Sequence, residues 1–332
     1  METTKRNLEA VAGRIREAQT IAVVSHVNPD GDTLGSATAM RLILTSLGKE
    51  VTLFCDGKIP DQMSFLPGAT LFHVPDGSEG PFDLMLAVDV SAEKRLGNCI
   101  DLKAKSTHTA QIDHHPTNPL YMETNCVDGG APANCILIRE LMNLLHVPLT
   151  RETAICLYTG ISTDTGNFAF ASTNAETFRM MSELMEQDLP LAELNRILFR
   201  VKSREQIRLL GKALESLRFR GEGKIAVMTL TQADFAACGA LSEHADTIVN
   251  YGLDTVGTEM ALLARETDNG QVKFSLRAKE PERVDDVAGK FNGGGHPQAS
   301  GITMTGSLAD CVEAVVKAME EKAAGKRQTT EG

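Results

Sequence analysis

The sequence has no tryptophan at all, and aromatic residues of every kind make up only 5% of it. Proteins that pass along single-stranded nucleic acid by stacking base after base need rows of such rings, so that class is disfavoured, although one or two rings suffice for a small substrate. Positive charge is also in deficit. Against 44 Asp and Glu there are 33 Lys and Arg, a formal charge of 33 − 44 = −11. Affinity for long polyanions comes mainly from basic side chains neutralising phosphates. A protein that tracks along duplexes is therefore not expected, whereas short oligonucleotides and mononucleotides remain. No C-x-x-C pair occurs among the seven cysteines (Cys55, Cys99, Cys126, Cys135, Cys156, Cys238 and Cys311), and their number is odd. Buried, reduced thiols are expected rather than a disulfide framework. No apolar stretch near the N-terminus has signal-peptide length and none elsewhere approaches a membrane span, so a cytoplasmic protein is expected. A Walker A loop is missing too, which sets aside the P-loop NTPases.

What remains is an ordinary globular composition, 42% hydrophobic and 23% charged over 332 residues, with enough apolar material for two cores. Leu8, Val11 and Ile15 recur at helical spacing. Short apolar runs at Ile21–Ser25, Val51–Cys55, Leu84–Val88 and Thr109–Ile112 alternate with helical patterns at Thr33–Leu47, Ala133–Leu145, Glu152–Ile161 and Ala175–Glu186. This alternation predicts βαβ units: an α/β domain with a mostly parallel sheet and helices on both faces. Ligands of such sheets bind beyond the carboxyl ends of the strands, so the polar clusters that follow residues 25, 88 and 112 are expected on one rim. The basic, amphipathic stretch Leu191–Arg220 reads as one long or one broken helix, more naturally a solvated connector than a phosphate-facing element. Beyond it, strands at Lys224–Leu230 and Glu259–Arg265, with Asn269-Gly270 leading into Val272–Arg277, predict a hairpin in a smaller α+β domain. The expected organisation is a catalytic domain over 1–188, a helical linker over 189–220, a second domain over 221–322 and a disordered tail over 323–332.

The chemistry is concentrated in those polar clusters. His26-Val-Asn28-Pro-Asp30-Gly31-Asp32 places an imidazole and two carboxylates within seven residues. Such donors suit Mn²⁺ and other first-row divalent ions, and the carboxylates also suit Mg²⁺. Alone the loop is ambiguous, because Asp-Gly turns are common and Asp32 could simply cap the following helix. Asp89, however, ends LMLAVD where a strand should emerge on the same rim, and Asp113-His114-His115 follows TAQI in the same manner. Two adjacent histidines and an aspartate at a strand end have no obvious packing role. A fourth cluster, Ser162-Thr-Asp164-Thr-Gly166-Asn167, ends an apolar helical stretch, and capping or turn formation would account for it by itself. Together the clusters supply His26, Asp30, Asp32, Asp89, His114 and Asp164, enough for two adjacent metals if one carboxylate bridges them. Paired ions suit in-line phosphoryl displacement. Near the C-terminus, Gly293-Gly-Gly-His296-Pro-Gln-Ala-Ser300-Gly301 would let backbone N–H groups approach an anion, and a helix following it would add its positive end. Plain turn chemistry is the rival reading there. Arg277, on the preceding hairpin, could reach the same anion.

HVNPDGD, the Asp of LAVDV, DHH and STDTG, in this order, resemble the four motifs of the DHH phosphoesterases, and GGGHPQASG resembles the signature of the DHH-associated C-terminal domain. The resemblance covers nearly the whole chain and is nearest to the compact nanoRNase and pAp phosphatase (oligoribonuclease-like) branch. It implies metal binding by His26, Asp30, Asp32, Asp89, His114 and Asp164, to two divalent ions, Mn²⁺ before Mg²⁺ or Co²⁺. It also implies that His115 contacts the scissile phosphate or leaving oxygen, with Asp113 behind it orienting an imidazole. Arg277, Gly294, Gly295 and His296 are implied to hold a terminal phosphate or nucleotide.

The function so implied is hydrolysis of very short RNA, linear dinucleotides and 3′-phosphoadenosine 5′-phosphate in a cleft between the domains, with no long duplex and no membrane as partner and a homodimer as an open alternative. A cyclic dinucleotide (c-di-AMP) phosphodiesterase is the first rival, since it needs the same metals. An inorganic pyrophosphatase is set aside because that branch resembles a different C-terminal domain, and a RecJ-type exonuclease because it would carry further DNA-binding domains. From another class, a non-catalytic nucleotide-binding regulator would be marked by a missing ligand, and all six candidates are present.

Overall fold

The computed structural model describes residues 2–330, which divide into two units, Met1–Val201 and Lys202–Gly332. In the first, α1 (Glu2–Glu17) leads into β1 (Thr20–Val24), α2 (Gly31–Ser46), β2 (Glu50–Phe54) and the two-residue β3 (Phe72–His73). Then follow β4 (Phe82–Val88), β5 (Ser106–Asp113), β6 (Thr124–Val127), α3 (Asn134–Leu144), α4 (Arg151–Asp164), α5 (Ala175–Met185) and α6 (Leu191–Asn195). The six strands form one sheet in the order β3-β2-β1-β4-β5-β6, parallel throughout. The chain builds outward from β1 on one side and from β4 on the other. The gap between the carboxyl ends of β1 and β4 is therefore a topological switch point, where open α/β sheets leave a crevice.

Both faces of the sheet are covered, which is why β4 reads as a continuous apolar run. Ile21, Val23, Leu84, Leu86 and Val88 face a core built with α1 to α4. Ala22, Val24, Met85 and Ala87 point the other way, against Leu96, Cys99 and Leu102 of a 3₁₀ stretch, Glu93–Lys103. Helices α2 and α4 approach closely because glycines line their contact. A Cβ on Gly35 would meet the Cys156 carbonyl, and one on Gly31 would meet Thr163. All seven cysteines are buried and free.

The stretch expected as a connecting helix is broken. Helix α6 passes into one π-turn, Arg196–Arg200, and stops; a new helix, α7 (Arg204–Glu215), begins in the second unit. Ser203 causes the restart with a capping box: its hydroxyl accepts from Gln206 N–H, and the Gln206 side chain accepts from Ser203 N–H at 2.8 Å. The end of the stretch is not helix but strand, β7 (Arg218–Arg220).

The second unit continues with β8 (Ile225–Leu230), α8 (Gln232–Cys238), α9 (Val249–Leu253), β9 (Met260–Glu266), β10 (Gln271–Ala278), α10 (Asp285–Gly289), β11 (Gly294–His296), β12 (Ala299–Thr305) and α11 (Leu308–Thr330). Its sheet runs β11-β12-β10-β9-β8-β7, with only the β8–β9 pair parallel. Asn269-Gly270 turns the expected β9–β10 hairpin, Gly270 at φ +74°. Leu262, Phe274 and Ile302 pack with Val312, Val315 and Met319 of α11 on one face; Ala226, Met228, Ala261 and Leu263 pack with Leu209 and Phe235 on the other. Helix α11 runs on to Thr330, so the tail expected to be disordered from 323 is helical to that point, as its Ala, Lys, Arg and Gln content favours; residues 331 and 332 lie outside the described residues. Among the described residues no helix is long and apolar enough to cross a membrane.

Candidate functional site

Parallel strands deliver their C-terminal residues to one rim, and here β1, β4 and β5 deliver His26, Asp89 and Asp113-His114-His115 respectively. Helix α2 brings Asp30 and Asp32 over the same rim, and the last residue of α4 is Asp164. Ligand atoms of His26, Asp30 and Asp89 lie within 4.8 Å of one another, as do those of Asp32, His114 and Asp164 and those of Asp89, His114 and His115.

Asp89 stands between the first two groups. Its Oδ2 is 3.8 Å from His26 Nε2, and its Oδ1 is 3.4 Å from His114 Nε2 and 3.6 Å from His115 Nδ1. The side chain is 2% exposed, and Oδ1 makes no hydrogen bond. Its backbone has φ +60°, a left-handed conformation that a residue with a Cβ adopts at a cost and that is seen where a site demands it. Burial first, and the neighbouring Asp32 second, push the Asp89 carboxyl well above the usual range.

The histidines are aimed by their Nδ1 atoms. His114 Nδ1 lies 3.0 Å from the Ala131 carbonyl, which takes its N–H and turns Nε2 inward, 3.4 Å from both Asp89 Oδ1 and Asp164 Oδ2. His26 Nδ1 lies 2.8 Å from the Val27 carbonyl, and its buried Nε2 has no hydrogen-bond partner. Arg95 Nη2 is 3.0 Å from the same Nδ1; in the tautomer that donates to Val27, the guanidinium is a charged neighbour rather than a donor. His115 Nδ1 sits 2.8 Å from Asp113 Oδ1, whose other oxygen accepts from Asn118 Nδ2 at 2.6 Å. Burial opposes the charge on Asp113, but His115 and Asn118 outweigh it and hold the carboxyl below its usual value.

The acids are held by helix ends. It is Asp30, not Asp32, that caps α2, a correction to the reading of Asp32 as the cap: Asp30 Oδ1 accepts from Asp32 N–H and Thr33 N–H, both at 3.1 Å. Its Oδ2 is left 3.5 Å from His26 Nε2. Asp32 projects from the first turn of α2 onto the start of α3, where Asn134 N–H and Cys135 N–H donate to its two oxygens. Asp164 is raised to about 7 by burial and by repulsion from Asp32. His114 is raised to about 10, the carboxylates of Asp89, Asp32 and Asp164 outweighing the burial that opposes its proton.

Nitrogen and carboxylate donors around buried atoms without partners fit divalent metal ions. Four carboxylates converge here, and a cation would offset repulsion that the fold otherwise bears. The backbone donors on Asp32, the guanidinium of Arg95 and the amide of Asn118 went unrecognised from sequence. The donors on Asp32 and the Arg95 guanidinium come from segments distant in the chain and have no local signal, whereas Asn118 follows Asp113 by five residues but belongs to no recognised motif.

The glycine-rich segment belongs to the second unit. Gly294–His296 is strand β11, paired to β12 and followed by no helix, so no helix dipole is present at the position where one was expected. In register, His296 and Arg277 both stand opposite Ala299, one on each side of β12, and so share a face of the sheet with a small residue between them. Burial lowers the Arg277 guanidinium from its ordinary value. Gly293 and Gly295 serve the fold: a Cβ on either would meet backbone, at the Gly301 and Ala299 carbonyls, and Gly295 has φ +145°. Gly294 faces open space.

Two family models match in order along the chain, one described as "DHH family, N-terminal domain" over residues 20–161 and one as "DHHA1 domain" over residues 222–325. A Thermus thermophilus protein named bifunctional oligoribonuclease and PAP phosphatase NrnA is 33% identical over 304 residues, 91% of this chain and 90% of its own length. The crystal structure of an exopolyphosphatase-related protein from Bacteroides fragilis superposes with a TM-score of 0.89 at 26% identity, covering 95% of this chain and 96% of the other. Thermus thermophilus RecJ in complex with Mn²⁺ shares the fold, with a TM-score of 0.54 at 16% identity over 97% of this chain and 54% of RecJ. With both domains in their order and a third of its residues shared across nine-tenths of a relative, the chain belongs to the DHH family and carries a DHHA1 domain.

Proposed function

We propose that this chain is a two-metal phosphoesterase that hydrolyses short oligoribonucleotides and linear dinucleotides, and 3′-phosphoadenosine 5′-phosphate as well. The observation that carries the reading is Asp89, whose two oxygens face two separate groups of nitrogen and carboxylate donors. His26, Asp30 and Asp89 would hold one ion, and Asp89, Asp32, His114 and Asp164 the other, with Mn²⁺ the preferred metal. Bound ions supply charge neutralisation at the phosphoryl oxygens and make a water acidic enough to attack near neutral pH.

The chain's own groups do the rest. The Ala131 and Val27 carbonyls keep the Nε2 lone pairs of His114 and His26 turned inward. Asp113 engages His115 Nδ1, so His115 presents Nε2, and in its protonated form that atom donates to the departing oxygen. Arg277, Gly294, Gly295 and His296 are assigned to the far phosphate or nucleotide. The substrates named for the Thermus relative, RNA fragments and PAP, support this substrate class. A turnover assay with Mn²⁺ on a linear diribonucleotide, a longer oligoribonucleotide, 3′-phosphoadenosine 5′-phosphate and cyclic di-AMP tests the proposal. Fast cleavage of the linear dinucleotide with the cyclic compound untouched supports it, and preference for the cyclic compound overturns it.

A further inference from the structure

The loop that follows Asp164 is built with more care than a turn requires. Gly166, Asn167 and Phe168 occupy left-handed backbone in succession, at φ +57°, +57° and +67°, and two of the three carry a Cβ that makes this costly. Hydrogen bonds hold the loop: Asn167 N–H to the Ser162 carbonyl at 2.7 Å, Phe168 N–H to Thr165 Oγ1 at 3.1 Å, and both Ala169 N–H and Phe170 N–H to the Thr165 carbonyl at 3.0 Å. Its two phenylalanines have different fates. Phe168 packs against the core and lies 5.5 Å from the Phe178 ring, centroid to centroid. Phe170 joins no apolar cluster, is 58% exposed, and lies over Gly166 so closely that a Cβ on that glycine would meet its ring.

A lone exposed apolar side chain needs no explanation by itself. The position of this one does. The ring rests on the residue two places after Asp164, the last acid of the metal-binding cluster, and a bonded loop fixes it there. It also occurs in a chain without tryptophan, and of the first unit's two tyrosines Tyr158 is buried and Tyr121 has its hydroxyl tied to the Val90 carbonyl at 2.9 Å. Planar rings held at a phosphate site take nucleobases by stacking, with little preference among bases.

We propose that Phe170 is a substrate-binding residue on which a nucleobase flanking the scissile phosphate stacks. This rests on the nucleotide-phosphoesterase reading above and adds to it the reason a nucleoside phosphodiester is preferred to a simple one. Stacking of this kind changes affinity about five- to a hundredfold per base, and its planarity requirement separates it from loop packing.

The test measures KM and kcat with Mn²⁺ for a linear diribonucleotide and for its two analogues that each lack one base, using the wild type, Phe170→Ala, Phe170→Leu and Phe170→Trp. One abasic analogue should show a raised KM with the wild-type protein. Phe170→Ala should raise KM for the intact dinucleotide about tenfold, with the change in KM rather than kcat, and should cost that analogue nothing further. Phe170→Trp should restore the low KM and Phe170→Leu should not. The proposal is overturned if the Ala variant keeps the wild-type KM, if Leu restores as well as Trp, or if the abasic analogue suffers the same loss. A wild-type protein that hydrolyses bis(4-nitrophenyl) phosphate but no nucleotide would sink the parent reading, and this one with it.

Discussion

At the scale of single residues, the cluster's carboxylates decide most of the behaviour. Asp89→Asn keeps the shape but removes the charge facing both donor groups. Turnover should fall more than about 100-fold, beyond what loss of an outer partner costs, with the fold intact by circular dichroism and Mn²⁺ affinity reduced by calorimetry. An active, metal-replete Asn variant would end the assignment of Asp89. The shifts of Asp164 and His114 predict a stability trend in the metal-free protein. Asp164 is raised to about 7, so the stability it contributes is complete below its unfolded value near 3.8 and is lost as pH rises through about 7. His114 is raised to about 10, so its contribution is complete below about 6.5 and is lost on approach to 10. Both act in one direction, and the melting temperature of the metal-free protein should fall between pH 6.5 and 9. Mn²⁺ should restore it by more at the higher pH and should release protons on binding; a metal-free melting temperature that rises over that range would refute the account. In the second unit, Gly294→Ala should leave the melting temperature near the wild-type value and raise KM. Gly295→Ala should destabilise by more than about 1 kcal/mol, because its φ suits glycine alone.

Among the elements, the contact of α2 with α4 sets the spacing of the acids. Gly160 lies in the interior of α4, where alanine would ordinarily favour the helix by ~1 kcal/mol. A Cβ there, however, would fall against Asp32 Oδ1 and Cys135 Sγ, both buried. Overpacking of this kind costs about 1–3 kcal/mol, so Gly160→Ala should lower the melting temperature despite its better propensity. It should also weaken Mn²⁺ binding through displacement of Asp32, which an ordinary core variant far from the rim would not do. The start of α3 contributes to the same end. Its first N–H groups, from Asn134 and Cys135, serve Asp32 instead of a capping side chain, so a helix terminus that lacks a local cap is satisfied by the site itself.

For the molecule as a whole, the net charge of −11 bears on substrate length. Each phosphate added beyond those held by the site meets a negative field with little counterion release to recover. The specificity constant should therefore fall as an oligoribonucleotide is lengthened from two residues to ten, and the fall should be shallower in 0.3 M than in 0.03 M salt, where screening acts over about 6 Å and 18 Å respectively. A length dependence that salt leaves unchanged would point to steric exclusion instead. Much at this scale was legible from residues alone. The alternation of apolar runs and helical patterns specified the parallel sheet, because strands buried on both faces have no choice but to be apolar, and strand ends carrying Asp and His marked the rim. Short edge strands such as β3 and β6 gave no such signal, since a few residues at a sheet edge need little burial. The stretch before α7 allowed one long or one broken helix, because a run of basic residues keeps its helical pattern across a turn that Ser203 and Gln206 impose. Sequence by itself determined which nitrogen and carboxylate side chains gather at the rim, because donor types and strand ends are local properties. Only the tertiary structure decided that Asp30 rather than Asp32 caps α2, that Asp89 faces both donor groups, and that Phe170 rather than Phe168 is left exposed. Asp32 is taken up by N–H groups of α3, Asp89 meets histidines that follow β1 and β5, and Phe168 packs into the core, all contacts whose geometry packing alone sets.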